Sequence, residues 1–391
     1  MSDFYRLAAR RSVRLLDRPL VAGLWLAFLT LLFAARCYRT YGIFNNTVDE
    51  PAHIACGLEV WQNGRYTLEL QHPPLGRVIV ALPAYLAGLR LDGLGFGLWE
   101  HADAAYYWRT LRLARLGNLV FAPFLLVYVH LWARRLYGPA AALLAPVLVS
   151  LCPNLLAHAS LATLDFGAAT TVFIAAYHFW RWSLDGTLRS CLYAAAASAI
   201  AVATKFSAFF FLPPIALAFF LIAWLRRRPN PLLTRAMLAA QGAAFLGTAS
   251  AVLWAAYLFE VGPLPAATFY APPRTLGQYS TSAMEILAGR HSIPAPGFFR
   301  GLTDLLSHDA KGHPAYLLGQ WSQSGWWYYF PVALAVKTPL PLLLLFFAGL
   351  LTLIVRRDHS EIRGVFCPAV AAALTLTITL RSGINIGIRH I

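Results

Sequence analysis

Long apolar runs separated by short basic gaps are what most limits this chain. Nine runs stand out, at 19–36, 112–132, 139–157, 163–181, 188–204, 206–224, 235–258, 328–354 and 364–382. Most approach the roughly 20 residues a helix needs to cross a bilayer core. Lipid offers the backbone no hydrogen-bond partners, so crossing segments must satisfy their own amides as helices. The expected fold is therefore an all-α integral membrane protein, a multi-spanning helical bundle. With 59% of its 391 residues hydrophobic and 13% charged, the chain has little polar surface to spend on a soluble domain.

A tenth stretch, 73–90, reads "PPLGRVIVALPAYLAGLR" and carries Arg77 among three prolines. Charge decides how it lies. If 73–90 rests in the interface, segments 1–18, 133–138, 182–189, 225–235 and 355–363 all fall on the cytoplasmic side. They then hold 15 Lys or Arg in about 50 residues, as the positive-inside rule requires. The long loops 37–111 and 259–327 hold only 5 and 4, and face outward. The net charge of +15 is accounted for by this topology. It forms no stripe or tail suited to nucleic acid.

The basic start and the apolar run behind it read as a retained anchor helix, since no cleavage site follows. The five cysteines are scattered without CxxC spacing and read as free thiols, although Cys37 and Cys56 both fall toward the outer side. Three regions result: a catalytic membrane module over 1–258, an outer loop rich in proline, glycine and aromatics over 259–327, and further helices over 328–391.

This topology gathers the unusual polar residues on one face. "TVDEPAH" supplies Asp49, Glu50 and His53, and "QHPPLGR" supplies His72. "HASLATLDF" places His158 and Asp165 at the outer end of a helix pair, and "ATKFS" adds Lys205. Lys337 lies in the outer part of a span, Arg112 begins one, and "NIGIRH" ends with Arg389 and His390. Charges within a span cost about 2.5–3.5 kcal/mol on insertion scales, so they need a reason. Taken singly, each has an ordinary reading. The acids suit helix caps, the histidines suit structural hydrogen bonds, and the cations suit headgroup contacts. The convergence is what points to chemistry: carboxylates to take a proton from a hydroxyl, and cations to hold a lipid phosphate. Walker-type, dinucleotide and H-E-x-x-H patterns are absent from the sequence.

The segment "VDEPAHIACGLEVWQNGRYTLELQHPPLGRVIVALPAYLAG" resembles the first outer loop of lipid-carrier-dependent glycosyltransferases of the GT-C fold. This is the family-39-like group, related to the protein O-mannosyltransferases and the lipid A aminoarabinose transferase. "ARRLYG", "LATLDF", "ATKFSAF", "GWWYYFPVALAVKTPLP" and "NIGIRH" continue the likeness over most of residues 40–391. It implies interfacial helices in the first outer loop and an inverting transfer from a polyprenyl-phosphate sugar. It also implies Asp49 as catalytic aspartate, Glu50 as the acidic neighbour that places the acceptor, Asp165 as second acid and Lys205 near the donor phosphate. His72 stands where the mannosyltransferases place a histidine. Relatives continue beyond "NIGIRH", so the sequence reads as C-terminally truncated or as a short form.

The expected partners are a lipid-linked sugar donor, membrane lipid and a hydroxyl acceptor. The catalytic residues are Asp49, Glu50 and Asp165. Phosphate contacts come from Lys205, Arg389, Arg112 and Lys337, and substrate contacts from His53, His72, His158 and His390. The site should face the periplasm from the inner membrane. A divalent cation (Mn²⁺, Zn²⁺ or Mg²⁺) is a candidate cofactor, with Asp49, Glu50, and His53 or His72 as ligands. Two rivals share these features: a transporter or flippase of a lipid-linked saccharide, and a non-catalytic membrane partner of the same fold.

Overall fold

The computed structural model describes residues 18–91, 103–226, 235–263, 292–355, 359–385 and Gly387. The basic segment 1–17, most of the outer loop (264–291), and Arg389 with His390 lie outside the described residues. Among the described residues the regular structure is helical, apart from two short antiparallel strand pairs.

Helix α1 (Pro19–Tyr38) buries Leu26, Leu29, Phe33 and Cys37 along one stripe. Leu24, Phe28 and Leu31 point outward from its other side, as helical spacing dictates. The first loop then folds into two short helices, α2 (Glu50–Asn63) and α3 (Pro74–Leu86). The 13 residues of α3 reach only about 20 Å at 1.5 Å per residue, short of a bilayer crossing. Gly57 of α2 sits directly on α3. A Cβ there would collide with the Arg77 carbonyl oxygen, so only glycine permits the approach.

Helices α4 (Ala104–Asn118) and α5 (Phe121–Tyr137) adjoin through Leu119 and Val120. Leu119 and Val120 keep helical backbone angles, so expected span 112–132 lies within one apolar helical stretch, Ala104–Tyr137, long enough to cross a membrane. Expected span 139–157 is divided, into α6 (Pro139–Leu151) and α7 (Pro153–Ala159), bent by 59°. Cys152 is extended at φ −66°, ψ 117°, because the following Pro153 disfavours helical backbone there.

Helices α8 (Asp165–Asp185), α9 (Leu188–Thr204), α10 (Ser207–Arg226) and α11 (Arg235–Ala256) form the central bundle. Ala194, Ala195, Ala199, Ala201 and Ala203 of α9 are all buried. Small side chains let its neighbours approach closely without hydrophobic driving force. Trp132, Tyr177, Trp180, Phe211 and Phe219 fill the core between α5, α8 and α10.

Strand β1 (Val261–Pro263) pairs with β2 (Ser292–Pro294), leading into α12 (Pro296–Lys311). Strands β3 (Ala315–Leu317) and β4 (Gln320–Ser322) form a hairpin. Expected span 328–354 is corrected as well. It comprises α13 (Tyr329–Lys337) and α14 (Leu340–Val355), bent by 112°. Thr338 is extended before Pro339 for the same reason as Cys152. Helix α15 (His359–Thr379) closes the described chain. By length and composition, four described helical stretches are able to cross a membrane, or up to six if each bent pair counts as one span. The shorter α9 and the less apolar α8 are covered by neighbours on much of their surface, so they need less apolar sequence.

Candidate active site

A cavity of about 450 Å³ opens between the first loop, the α9–α10 turn, α12 and the end of α15. Asp49, His53, His72, Asp165 and Lys205 all line it. They come from four separate segments, and each local structure aims one of them. Asp49 stands at the N-cap position of α2 but makes no side-chain capping bond there. Asp165 is the first residue of α8, likewise with no side-chain cap at that helix end. Both carboxylates lie where helix dipoles favour negative charge. Lys205 sits in extended conformation between α9 and α10. Its Nζ donates to Asp165 Oδ1 at 2.6 Å, and both side chains are largely covered.

Glu50 has a different role from its neighbour. It is fully buried and turned away from the cavity, against Arg115. Arg115 Nε and Nη2 donate to its two oxygens at 2.8 and 3.0 Å. The remaining Arg115 donors reach the carbonyls of Tyr41, Phe44 and Asn45. Glu50 also accepts from the amides of Thr47 and Ala162 at 2.7 Å each. One ion pair therefore joins loop 41–47, α2, α4 and the turn before α8. It holds atoms adjacent to Asp49 and three residues before Asp165, and so sets the spacing of the two acids.

Arg77 makes a second clamp. Fully buried, it donates to the carboxylate of Glu69, to the Glu69 carbonyl at 2.6 Å and to the Tyr66 hydroxyl at 2.6 Å. Its Nε donates to His53 Nδ1 at 3.1 Å. That ring nitrogen must be unprotonated, so the neutral His53 ring carries its hydrogen on Nε2. Burial pushes the Tyr66 phenol up. It stays protonated and donates to the His72 carbonyl at 2.6 Å. The His53 and His72 rings meet edge to face at 5.4 Å. Burial first, then the nearby charges of Arg77 and Lys205, hold the His72 imidazole well below its ordinary range. His72 is accordingly neutral at pH 7.

The opposite wall comes from α12 and the residues after α15. His308, Asp309, His313 and Arg381 line it. Ser382 Oγ donates to Asp309 Oδ1 at 2.9 Å, and His313 N to the Gly383 carbonyl at 3.3 Å. Phe206, Phe210 and Phe211 supply an apolar side.

Other expected site residues lie elsewhere. Arg112 is exposed on α4, its guanidinium over Trp108 and against Gly42. Lys337 is exposed at the last turn of α13. His158 is half-buried on α7, where its carbonyl accepts from Asn118. None of these three lines the cavity. Of the expected metal ligands, Asp49, His53 and His72 line the cavity, whereas Glu50 is committed to Arg115 and His53 Nδ1 accepts from Arg77. Among the described residues no group of three His, Cys, Asp or Glu has metal-binding placement. Sequence reasoning missed Arg115, His308, Asp309 and Arg381. Arg115 carried a signal, as a charge inside an apolar run. "SHDAKGH" carried none beyond its polarity.

The family model described as dolichyl-phosphate-mannose-protein mannosyltransferase matches residues 109–254. No curated protein matches the sequence significantly. Among solved structures, ArnT from Cupriavidus metallidurans bound to undecaprenyl phosphate aligns with TM-score 0.57 and 14% identity, over 92% of this chain and 56% of that one. The S. cerevisiae protein O-mannosyltransferase Pmt1-Pmt2 complex bound to the sugar donor aligns with TM-score 0.47 and 18% identity, over 61% of this chain and 33% of that one. The chain thus spans about half the length of the first and a third of the second. It is a membrane protein of the GT-C fold, the fold of lipid-carrier-dependent glycosyltransferases, and carries the mannosyltransferase family pattern over residues 109–254.

Proposed function

We propose that this protein is an inverting glycosyltransferase that moves a sugar from a polyprenyl-phosphate donor to an acceptor hydroxyl. The observation that carries this reading is the single cavity shared by Asp49, Asp165 and Lys205 beside an apolar phenylalanine wall. The donor phosphate lies at Lys205 and the N-terminal turn of α10, where the helix dipole favours an anion. Lys205 gives one hydrogen bond to Asp165 and keeps further N–H donors for the phosphate. Arg381 contributes a second cation from the facing wall. The first prenyl units run along Phe206, Phe210 and Phe211.

Asp49 accepts the proton of the acceptor hydroxyl as that oxygen bonds to the anomeric carbon. The bond from that carbon to the phosphate oxygen breaks, and the carrier phosphate leaves with the electron pair. Lys205 stabilises the charge that develops. Neutral His53 and His72 hydrogen-bond sugar hydroxyls without adding charge. Basic residues flanking the opposite helix ends support an extracytoplasmic site.

The test combines purified protein with a radiolabelled polyprenyl-phosphate hexose. The wild type releases carrier phosphate. Asp49→Asn releases it about 10²–10⁴-fold more slowly, the usual range for general-base assistance, while still binding undecaprenyl phosphate. An unchanged rate removes Asp49 from the role. Donor crossing a vesicle bilayer intact, with no release, identifies a transporter instead.

A further inference from the structure

A second groove of about 430 Å³ lies on the other side of Gln71 and His308. These two residues line both cavities. They form a partition between the groove and the space that holds Asp49. Resting on the proposed function, we infer that this groove is the acceptor subsite and that it takes a saccharide. The acceptor hydroxyl reaches Asp49 between Gln71 and His308.

The chemistry of the walls supports a hydroxyl-rich ligand. One wall is the extended segment 67–71, the other the polar face of α12 with Arg300, Asp304, Ser307 and Lys311. These four sit at i, i+4, i+7 and i+11, so one helix face presents cations, an acid and a hydroxyl together. Only Leu68 and Leu70 interrupt the polar lining, which leaves no bed for a lipid chain. A peptide strand is also disfavoured. Strand addition needs open backbone donors on the receiving edge. Here the amides of Thr67 and Leu68 already donate to Glu59, and that of Gln71 to Glu69. Side chains, rather than backbone, are what the groove offers. Its walls are held together as well. Gly301 of α12 packs so tightly on the Leu70 carbonyl that a Cβ would collide with it.

Transfer here follows the balance already given: the saccharide O–H bond breaks to Asp49, a C–O bond forms, and the carrier phosphate departs. The experiment measures carrier-phosphate release from a polyprenyl-phosphate hexose with three acceptor probes: a hexose trisaccharide, a Ser/Thr-containing peptide and water alone. Wild type should be accelerated by the trisaccharide and not by the peptide. Ser307→Trp, which fills the groove, and Asp304→Lys, an exposed charge reversal, should each raise the trisaccharide KM at least tenfold. Binding of undecaprenyl phosphate should stay unchanged and reports that both variants fold. The inference is overturned if the peptide alone accelerates release, or if both variants keep the wild-type KM. Release that no probe accelerates overturns it too and leaves the glycosyltransferase reading standing. An absence of any release overturns both.

Discussion

Asp49 and Glu50 are adjacent carboxylates with opposite assignments, and Glu50→Gln separates them. The variant keeps shape and removes charge. Arg115, only 1% exposed, would then face no anion. Breaking a buried pair by neutralising one partner costs about 3–5 kcal/mol. That is a large share of a total stability of roughly 5–15 kcal/mol. At about 2 °C per kcal/mol, the melting temperature in detergent should fall by roughly 6–10 °C. Arg115→Met should cost at least as much, because it also strands the carbonyls of Tyr41, Phe44 and Asn45. The double variant leaves no orphaned charge and should lose less than the sum of the two. Melting curves followed by tryptophan fluorescence, with carrier-phosphate release measured in parallel, give both readouts. If Glu50→Gln melts with the wild type yet loses turnover as Asp49→Asn does, then Glu50 acts on the acceptor and the clamp assignment is wrong.

Four further outcomes are expected. His72 titrates well below its usual range in the fold, so its contribution to stability is complete above about pH 6.5 and is lost as pH falls through the folded value; His72→Gln should flatten the acid side of the melting-temperature profile, and an unchanged slope would refute this. Lys205→Gln should weaken undecaprenyl phosphate binding roughly tenfold to a hundredfold, the worth of one charged hydrogen bond, with an unaltered Kd counting against phosphate contact. Gly57→Ala forces α2 off α3 and should cost about 1–3 kcal/mol of overpacking, read as a lowered melting temperature. Thorough chelation should leave carrier-phosphate release intact, because Glu50 and His53 Nδ1 are already held by Arg115 and Arg77; activity restored only by added Mn²⁺ or Zn²⁺ would refute this.

Helical class was legible from hydropathy and charge; these also put Asp49, His53, His72, Asp165 and Lys205 on one face, but together with Arg112, Lys337 and His158, which do not line the cavity. Those signals are averages over long windows, and the membrane makes them strong. The breaks before Pro153 and Pro339 were written locally in X-Pro steps, but continuous hydropathy masked them. The division of labour between Asp49 and Glu50 was not legible. Both carry the same group one residue apart, and their roles depend on which way α2 faces. That orientation is set by Arg115, 65 residues further on, a contact no local pattern encodes. Arg112 and Arg115 illustrate the same limit. They occupy successive turns of α4, yet one is exposed and the other almost fully buried.

The two buried arginines also explain how a cavity on the first loop becomes as rigid as the proposed transfer requires. Preorganised dipoles act on a transition state only if they need not move during the reaction. Glu50, gripped by Arg115, ties the start of α2 to α4 and to the turn before α8. Arg77 ties its second turn, through His53, to the loop holding His72. Helix α2 is thus fixed at two points one turn apart, and Asp49 at its tip has little freedom to drift from Asp165 and Lys205. Loss of either clamp should therefore lower turnover more than it lowers undecaprenyl phosphate binding, because Lys205 and the start of α10 belong to neither. Equal losses in turnover and binding would mean that the clamps merely hold the fold together.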